Sequence, residues 1–579
     1  MENKHTISGK GSFLPYFILL ATIALGHFPL LLSDSILGDS IINYHLALTN
    51  HHKYIQAFYN AYALPIHGYI AYLVSFFPAI FYYKLTAFIF LILIAAFLYH
   101  LFSTLKLFSQ RDNLLTSLLA ITFPVYTMWN EITTLPYLIS YAFFLAGFCL
   151  YIYSSRLIYF ILCLILWSVA FQLSSLLLLF YVVVAGIWLQ QEKVSLGDFR
   201  SWLLACRDNL LLLLFPIFYF LFLNLFFPGN SYQYNTIDFS GKKLLKNTVI
   251  SFYGTCIEPF SHFFHFASID AKTALFIIAI VTVVLFIIYR IIRQNFENQT
   301  HRKRNANIQK VLYALLLIFC AAIPYLLVGK PIRGFAYESR HALLLGPGFA
   351  ILLFIFLQRY FEAKGTLATW LVIGLFTSMN LVNHILWQNR SIKIQAIAEN
   401  LPRTTDTSDR VLFFYDKVPL GSRFKIKEIE LHYCAIQTSG IYNQYPYLLN
   451  TDYTSLVKRI YSPPINWYKV FCYPWIMDQA KNQDLLISPR LEQRLMKRTQ
   501  RKHITKINRT YRDIHLNGFT DNIYDASQAT GCIVHELMPG RELKEGEIFL
   551  QYISGSSAER KELLQSLIYV KTHHIEWEN

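Results

Sequence analysis

The run from Lys84 to Thr104, KLTAFIFLILIAAFLYHLFST, decides the fold class: after its opening lysine it holds no Asp, Glu, Lys or Arg, and no Gly or Pro interrupts it. At 1.5 Å of rise per residue, such a run reaches about 30 Å as a helix, the thickness of a bilayer's hydrocarbon core. Backbone N–H and C=O groups find no water there, and a helix satisfies them internally. Comparable runs recur at about residues 13 to 33, 112 to 129, 135 to 153, 157 to 171, 173 to 189, 208 to 227, 273 to 290, 311 to 328, 342 to 358 and 366 to 386. A polytopic α-helical membrane protein with about 11 transmembrane helices is predicted.

The composition agrees. Of 579 residues, 55% are hydrophobic, 17% aromatic and only 15% charged, with a mean hydropathy of +0.37. An assembly of water-soluble domains does not carry that apolar surplus. Charges are scarce before about residue 390 and dense after it. The chain therefore divides into a membrane part, 1–390, and a C-terminal soluble part, 391–579, in which Val411 to Tyr415, Cys532 to Leu537 and Ile548 to Ile553 read as strands of an α/β or α+β domain. Its basic run from Arg490 to Arg512 suits anionic head groups or a solvated helix face.

The formal charge of +16 does not point to nucleic acid, because many of the basic residues sit in short connections between apolar runs. Lys4, Lys10, Lys106, Arg111, Arg156, Lys193, Arg200, Arg207, Arg290 to Lys310, Arg359 and Lys364 all fall on one set of alternate connections. The positive-inside rule puts that set in the cytoplasm. The other face, outside an inner (plasma) membrane, then receives residues 34–83, the turns 129–134 and 329–340, the segment 228–272 and the C-terminal domain. The first of these is amphipathic: Ile41, Ile42, Tyr44 and Leu46 mix with Asn43, Asn50 and Lys53, as in a helix lying at the interface. A further apolar piece, Gly68 to Ile80, reads as a surface or re-entrant helix; the alternative, a twelfth span, would invert the downstream sidedness and break the charge pattern.

Gly38-Asp39-Ser40 heads this first loop, Tyr62-Ala63-Leu64-Pro65-Ile66-His67-Gly68 lies in its middle, and Trp129-Asn130-Glu131 forms the next turn on that face. With Tyr337-Glu338-Ser339-Arg340-His341 before a late apolar helix, this layout resembles the GT-C superfamily of membrane glycosyltransferases over about residues 13 to 390. The resemblance implies an enzyme of glycan biosynthesis in the cell envelope. It would move a sugar, with inversion, from a polyprenyl-phosphate-linked donor to a lipid-linked or surface glycan acceptor. Many members carry two acids together or one residue apart in the first loop; here Asp39 is followed by Ser40, and Asp34 lies five residues earlier. Both acids therefore stay open as the catalytic one, and a divalent metal stays open as a cofactor.

Such a transfer needs a base for the acceptor hydroxyl and cations for the departing phosphate. Asp39 is the first choice for the base, Asp34 the second, although an aspartate there also serves as a helix cap. Glu131 offers a second acid, a metal ligand, an orienting group for the acceptor or an ordinary turn residue. Lys330, Arg333, Arg340 and His341 gather positive charge against the positive-inside trend and suit a phosphate, Arg340 foremost. Glu258, His262 and His265 match no standard ligand spacing, and no metal ligands are assigned. Walker, dinucleotide-binding, HExxH, GxSxG and CxxC patterns are absent. A glycan polymerase, a lipid-linked glycan transporter or flippase, and a non-enzymatic membrane scaffold are the competing readings. A transporter would carry internal repeats and mid-span charge, a scaffold would tolerate loss of the first-loop acids.

Overall fold

The structure is a computed structural model and describes residues 13–36, 39–48, 52–61, 64–77, 79–128, 131–153, 156–191, 193–195, 197–227, 240–296, 307–334, 337–402, 410–416, 418, 420, 448–450, 531–542 and 544–576. Lys4, Lys10, Gly38, Trp129, Asn130, Cys434, Cys472 and the basic run after Arg490 lie outside the described residues, as do the side chains of Asp39, Tyr337 and Glu338.

Pro29 divides the first apolar run into α1 (Leu14–His27) and the short α2 (Pro29–Leu32), since proline has no N–H for the preceding turn. The first loop supplies α3 (Asp39–Leu48), α4 (His52–Ala61) and α5 (Pro65–Ser75). With 11 residues, α5 has about half the length of a span. It packs back on α4, so closely that a Cβ on Gly68 would come within 2.9 Å of Asn60 Oδ1 and 3.1 Å of the Gln56 carbonyl.

Next come α6 (Ile80–Thr104), which contains the run quoted first, and α7 (Gln110–Thr122). The Ser109 hydroxyl caps α7 by accepting the Asp112 N–H, and Pro124 stops it. The run expected over 112 to 129 thus ends at Thr122, and the remainder becomes a turn that carries Glu131. Then follow α8 (Leu135–Tyr153), α9 (Leu157–Ala170), α10 (Leu176–Gln190), α11 (Phe199–Asp208), α12 (Leu210–Phe226), α13 (Gly241–Cys256), α14 (Glu258–Ile269), α15 (Ala271–Phe296), α16 (Asn307–Leu327), α17 (Gly346–Tyr360) and α18 (Gly365–Asn400).

Among the described residues, six helices are long and apolar enough to cross a membrane, or up to seven if α11 and α12, bent by 66°, make one span. The shorter α1, α9 and α10 are apolar as well. The chain is a polytopic helical membrane protein. Helices α6, α7, α8, α17 and α18 share its centre, where Leu91, Ile94, Leu114, Leu118, Phe144, Ile351 and Ile373 are fully buried. Asn380 on α18 donates to the Thr122 carbonyl at 2.8 Å, satisfying an orphan acceptor at the end of α7. The peripheral α12 and α15 instead expose Leu211, Phe218, Leu225, Leu275, Phe276 and Val283. A patch of that extent requires an apolar solvent.

The C-terminal segment contributes a mixed sheet of β1 (Arg410–Asp416), β2 (Leu448–Asn450), β3 (Gly531–Pro539) and β4 (Ile568–Glu576), in the order β2-β1-β3-β4. β1 runs parallel to β2 and β3, β4 antiparallel to β3. The strands expected at 411 to 415 and 532 to 537 are present. The third, at 548 to 553, is corrected: it is part of helix α19 (Glu545–Ser554), whose Ile548, Phe549 and Tyr552 form one buried helical face. Helix α20 (Ser557–Leu567) follows, and α19, α20 and β4 all pack on α18.

Candidate functional site

Segments that are far apart in sequence meet at one end of the helices. Ser40, in the first turn of α3, donates its hydroxyl to Glu131 Oε2 and accepts the Thr133 N–H at 3.2 Å. This pins the start of the first loop to the turn after α7, so the Asp39 backbone lies one residue from a Glu131 contact. Glu131 is buried, and the Thr134 hydroxyl closes the turn from between the Met128 and Glu131 carbonyls, 2.8 and 2.9 Å away. The same turn meets the late candidate turn: the Thr127 N–H donates to Ser339 Oγ at 3.1 Å, one residue before Arg340.

Lys84 opens the quoted run and is 1% exposed, close enough to Glu131 and Asp34 to act on both electrostatically. An ammonium at that depth is sustainable only beside carboxylates and hydrogen-bond acceptors. Its Nζ donates to Ser35 Oγ at 3.3 Å, and Ser35 in turn lies 2.6 Å from Ser33 Oγ. Ser33 donates to Gln388 Oε1 at 2.6 Å, and Gln388 Nε2 donates to Asp34 Oδ1 at 2.8 Å. The other Asp34 oxygen accepts the Tyr552 hydroxyl at 2.6 Å. Asp34 is half-buried and held by donors on both oxygens. One turn before Gln388, His384 lies 3.0 Å from His27 of α1 through their ring nitrogens, and both rings are buried.

The cations collect on the turn after α16. Arg340 is near enough to act on Lys330, Tyr126 and Tyr325, and Tyr126 is also within electrostatic reach of Glu131. Burial, and the Arg340 guanidinium beside it, push the Lys330 ammonium down to about 8. His341 is buried with its ring 4.3 Å from that of Tyr325, whose hydroxyl donates to Ser175 at 3.0 Å. Arg333 lies exposed on the same turn, with its backbone against Gly254. Asp34 and Glu131 thus share Lys84, with the Asp39 backbone beside them, and Lys330, Arg340 and His341 gather on a second turn joined to the first through Thr127–Ser339 and Tyr126. Sequence reasoning missed Lys84, Gln388 and Tyr552. Only Lys84 gave a signal, as a lone ammonium on an apolar run.

The Lys330–Arg333 turn depends on a close backbone crossing. Ser251 of α13 accepts the Ile332 N–H at 2.8 Å, and a Cβ on Gly254 would come within 2.7 Å of the Ile332 carbonyl and 2.8 Å of Arg333 Cα. Backbone cannot yield as a flexible side chain does. Gly254→Ala is expected to cost about 1–3 kcal/mol of stability, read as a lowered unfolding midpoint in detergent. Gly241→Ala, at a helical glycine whose Cβ would meet nothing within 4 Å, is the matched control. Equal midpoints for the two variants would refute the crossing.

On α14, His262 Nε2 lies 4.0 Å from Glu258 Oε1, with Pro259 in the first turn, where the helix accommodates it. Among the described residues, no three His, Cys, Asp or Glu side chains group to hold a metal. Comparison with protein-family models, curated proteins and solved structures returns no match.

Proposed function

We propose that the chain is a glycosyltransferase of GT-C type that moves a sugar, with inversion, from a polyprenyl-phosphate donor to a lipid-linked or surface glycan acceptor outside the cytoplasm. The observation that carries this reading is the meeting of carboxylates and desolvated cations at one end of a lipid-facing helical assembly. Asp34 serves as the base: its carboxylate is held by Gln388 and Tyr552 and stays partly open. It takes the proton of the acceptor hydroxyl, whose oxygen bonds to the anomeric carbon as that carbon's bond to the phosphate oxygen breaks. The electron pair leaves with the polyprenyl phosphate, and Arg340 and Lys330, with His341 and Arg333 on the same turn, receive the charge. Glu131 orients α3 through Ser40, and we assign Asp39, the neighbouring residue, as the second acid. A single displacement inverts the anomeric centre.

In this reading the eleven apolar runs are the spans, counted with the shorter α1, α7, α9 and α10. The N-terminus is cytoplasmic, and the first loop and residues 391–579 are extracytoplasmic, the latter a soluble domain. The Asp34–Tyr552, Ser40–Glu131 and Thr127–Ser339 contacts support this sidedness, because they join segments assigned to that face.

Purified protein in lipid, offered a panel of polyprenyl-phosphate sugars with glycolipid acceptors, is expected to release polyprenyl phosphate from at least one donor. Ser557→Cys in a cysteine-depleted background is expected to react with an impermeant maleimide from outside intact cells. No release from any donor would reject the activity, and labelling only after the membrane is opened would reject the sidedness.

A further inference from the structure

Helix α19 is seated on the membrane helices by its first turn. The Gly546 N–H donates to Asp270 Oδ2 at 2.8 Å, and Asn389 of α18 donates to the Glu545 carbonyl at 2.8 Å. A Cβ at Gly546 would overlap Thr273 and Asp270, so the approach is as close as a backbone allows. Asp270 is itself buried and also caps α15 by accepting the Thr273 N–H at 3.2 Å. Two turns further along α19, this seating brings Tyr552 to Asp34.

The Tyr552 hydroxyl lies 2.6 Å from Asp34 Oδ2 and 2.6 Å from Gln395 Oε1. A hydroxyl has one proton, so it cannot donate to two acceptors. Asp34 already accepts from Gln388, and a carboxylate with donors on both oxygens is the charged form, best satisfied if Tyr552 donates to it. Gln395 then presents its N–H₂ to the phenol oxygen, with the amide oxygen and nitrogen exchanged. Burial, and then the Asp34 charge, push the Tyr552 hydroxyl above its ordinary range, so it stays a donor at working pH. Gln388 and Gln395 are seven residues apart on α18, on one helical face, and so bracket Asp34 and Tyr552 from the same side.

We infer that Tyr552 is a positioning residue for Asp34, and that the C-terminal segment carrying it completes the site in place of forming a tethered, separable module. The inference rests on the glycosyltransferase reading and deepens it. Tyr552 need not touch the sugar; it fixes the direction of the base.

The test has two arms on the full-length protein in lipid nanodiscs. In the first, tyrosines carry ¹³C at ζ, and the Tyr552 resonance is identified by its loss in Tyr552→Phe. That resonance is expected to move in Asp34→Asn, with no turnover needed for the reading. In the second, Tyr552→Phe keeps the ring against the Arg560 guanidinium, 5.1 Å away. Its kcat is expected to fall about 10- to 100-fold, with donor KM within about twofold of wild type, as suits loss of one hydrogen bond to a charged base. A resonance indifferent to Asp34→Asn overturns the inference, as does a Tyr552→Phe variant with wild-type kcat. Wild type that transfers from no donor removes the glycosyltransferase reading, and the resonance arm then decides the Tyr552–Asp34 link alone.

Discussion

Asp34→Asn is expected to lower transfer by about 10²- to 10⁴-fold, the range that positioned bases contribute, without unfolding the protein. Asparagine keeps the shape and one acceptor oxygen, which Gln388 still meets; the other oxygen becomes an N–H₂ that donates to the Tyr552 phenol, whose own proton turns to Gln395, while the carboxylate that takes the acceptor proton is lost. The loss belongs in kcat and kcat/KM together, because the base acts only in the transition state. Asp39→Asn is expected to cost less, about tenfold or under, if its carboxylate tunes the site without taking the proton. Initial rates of polyprenyl phosphate release measure both. The reverse ranking would move the base to Asp39, which stands one residue from the Ser40–Glu131 bond. Wild-type rates in the double variant would remove both acids from the chemistry and favour a scaffold.

The helices were legible because lipid leaves the backbone no alternative: each long apolar run named from sequence contains a helix, between α1 and α18, although the helix in the run at 112 to 129 ends at Thr122. The breaks at Pro29 and Pro124 were read through as parts of single runs, 13 to 33 and 112 to 129; proline removes a donor wherever it falls, and the position of Pro124 explains why α7 ends before the Glu131 turn. The segment at 548 to 553 was misread because a short apolar run fits a buried strand and a helix face alike. Its pattern resolves only when Tyr552 is seen to share a face with Ile548 and Phe549. β4 escaped because its lysine and histidines break the apolar alternation on which strand reading depends. Within the site, charged residues at connections were visible because charge is scarce on this chain. Gln388, Ser33 and Ser35 were not: they are uncharged, common residues, and their roles come from contacts across more than 300 residues of sequence for the Gln388 bonds. Lys84 was visible as a residue, but its meaning comes from Glu131 and Asp34, which reach it from two separate loops.

Removing the Arg340 guanidinium is expected to lower kcat/KM for the donor by about 10²- to 10³-fold, the cost of deleting one preorganised group that stabilises developing charge. Arg340→Lys should restore only part, because an ammonium lacks the planar fork that meets two phosphate oxygens. Lys330 adds a pH signature. Its ammonium titrates near 8 in the free protein, lowered by burial and then by Arg340. Below that pH the lysine is charged and attracts the donor phosphate; above it the charge is lost, so kcat/KM should decline as pH rises through about 8. A bound phosphate favours the charged lysine, so kcat should stay flat across the same range. Lys330→Arg should abolish the decline, since a guanidinium remains protonated. Arg340→Ala should move the break upward, because the like charge that depresses Lys330 is gone. A donor kcat/KM that is level from pH 7 to 9, or an Arg340→Ala variant within about threefold of wild type, would place the phosphate elsewhere.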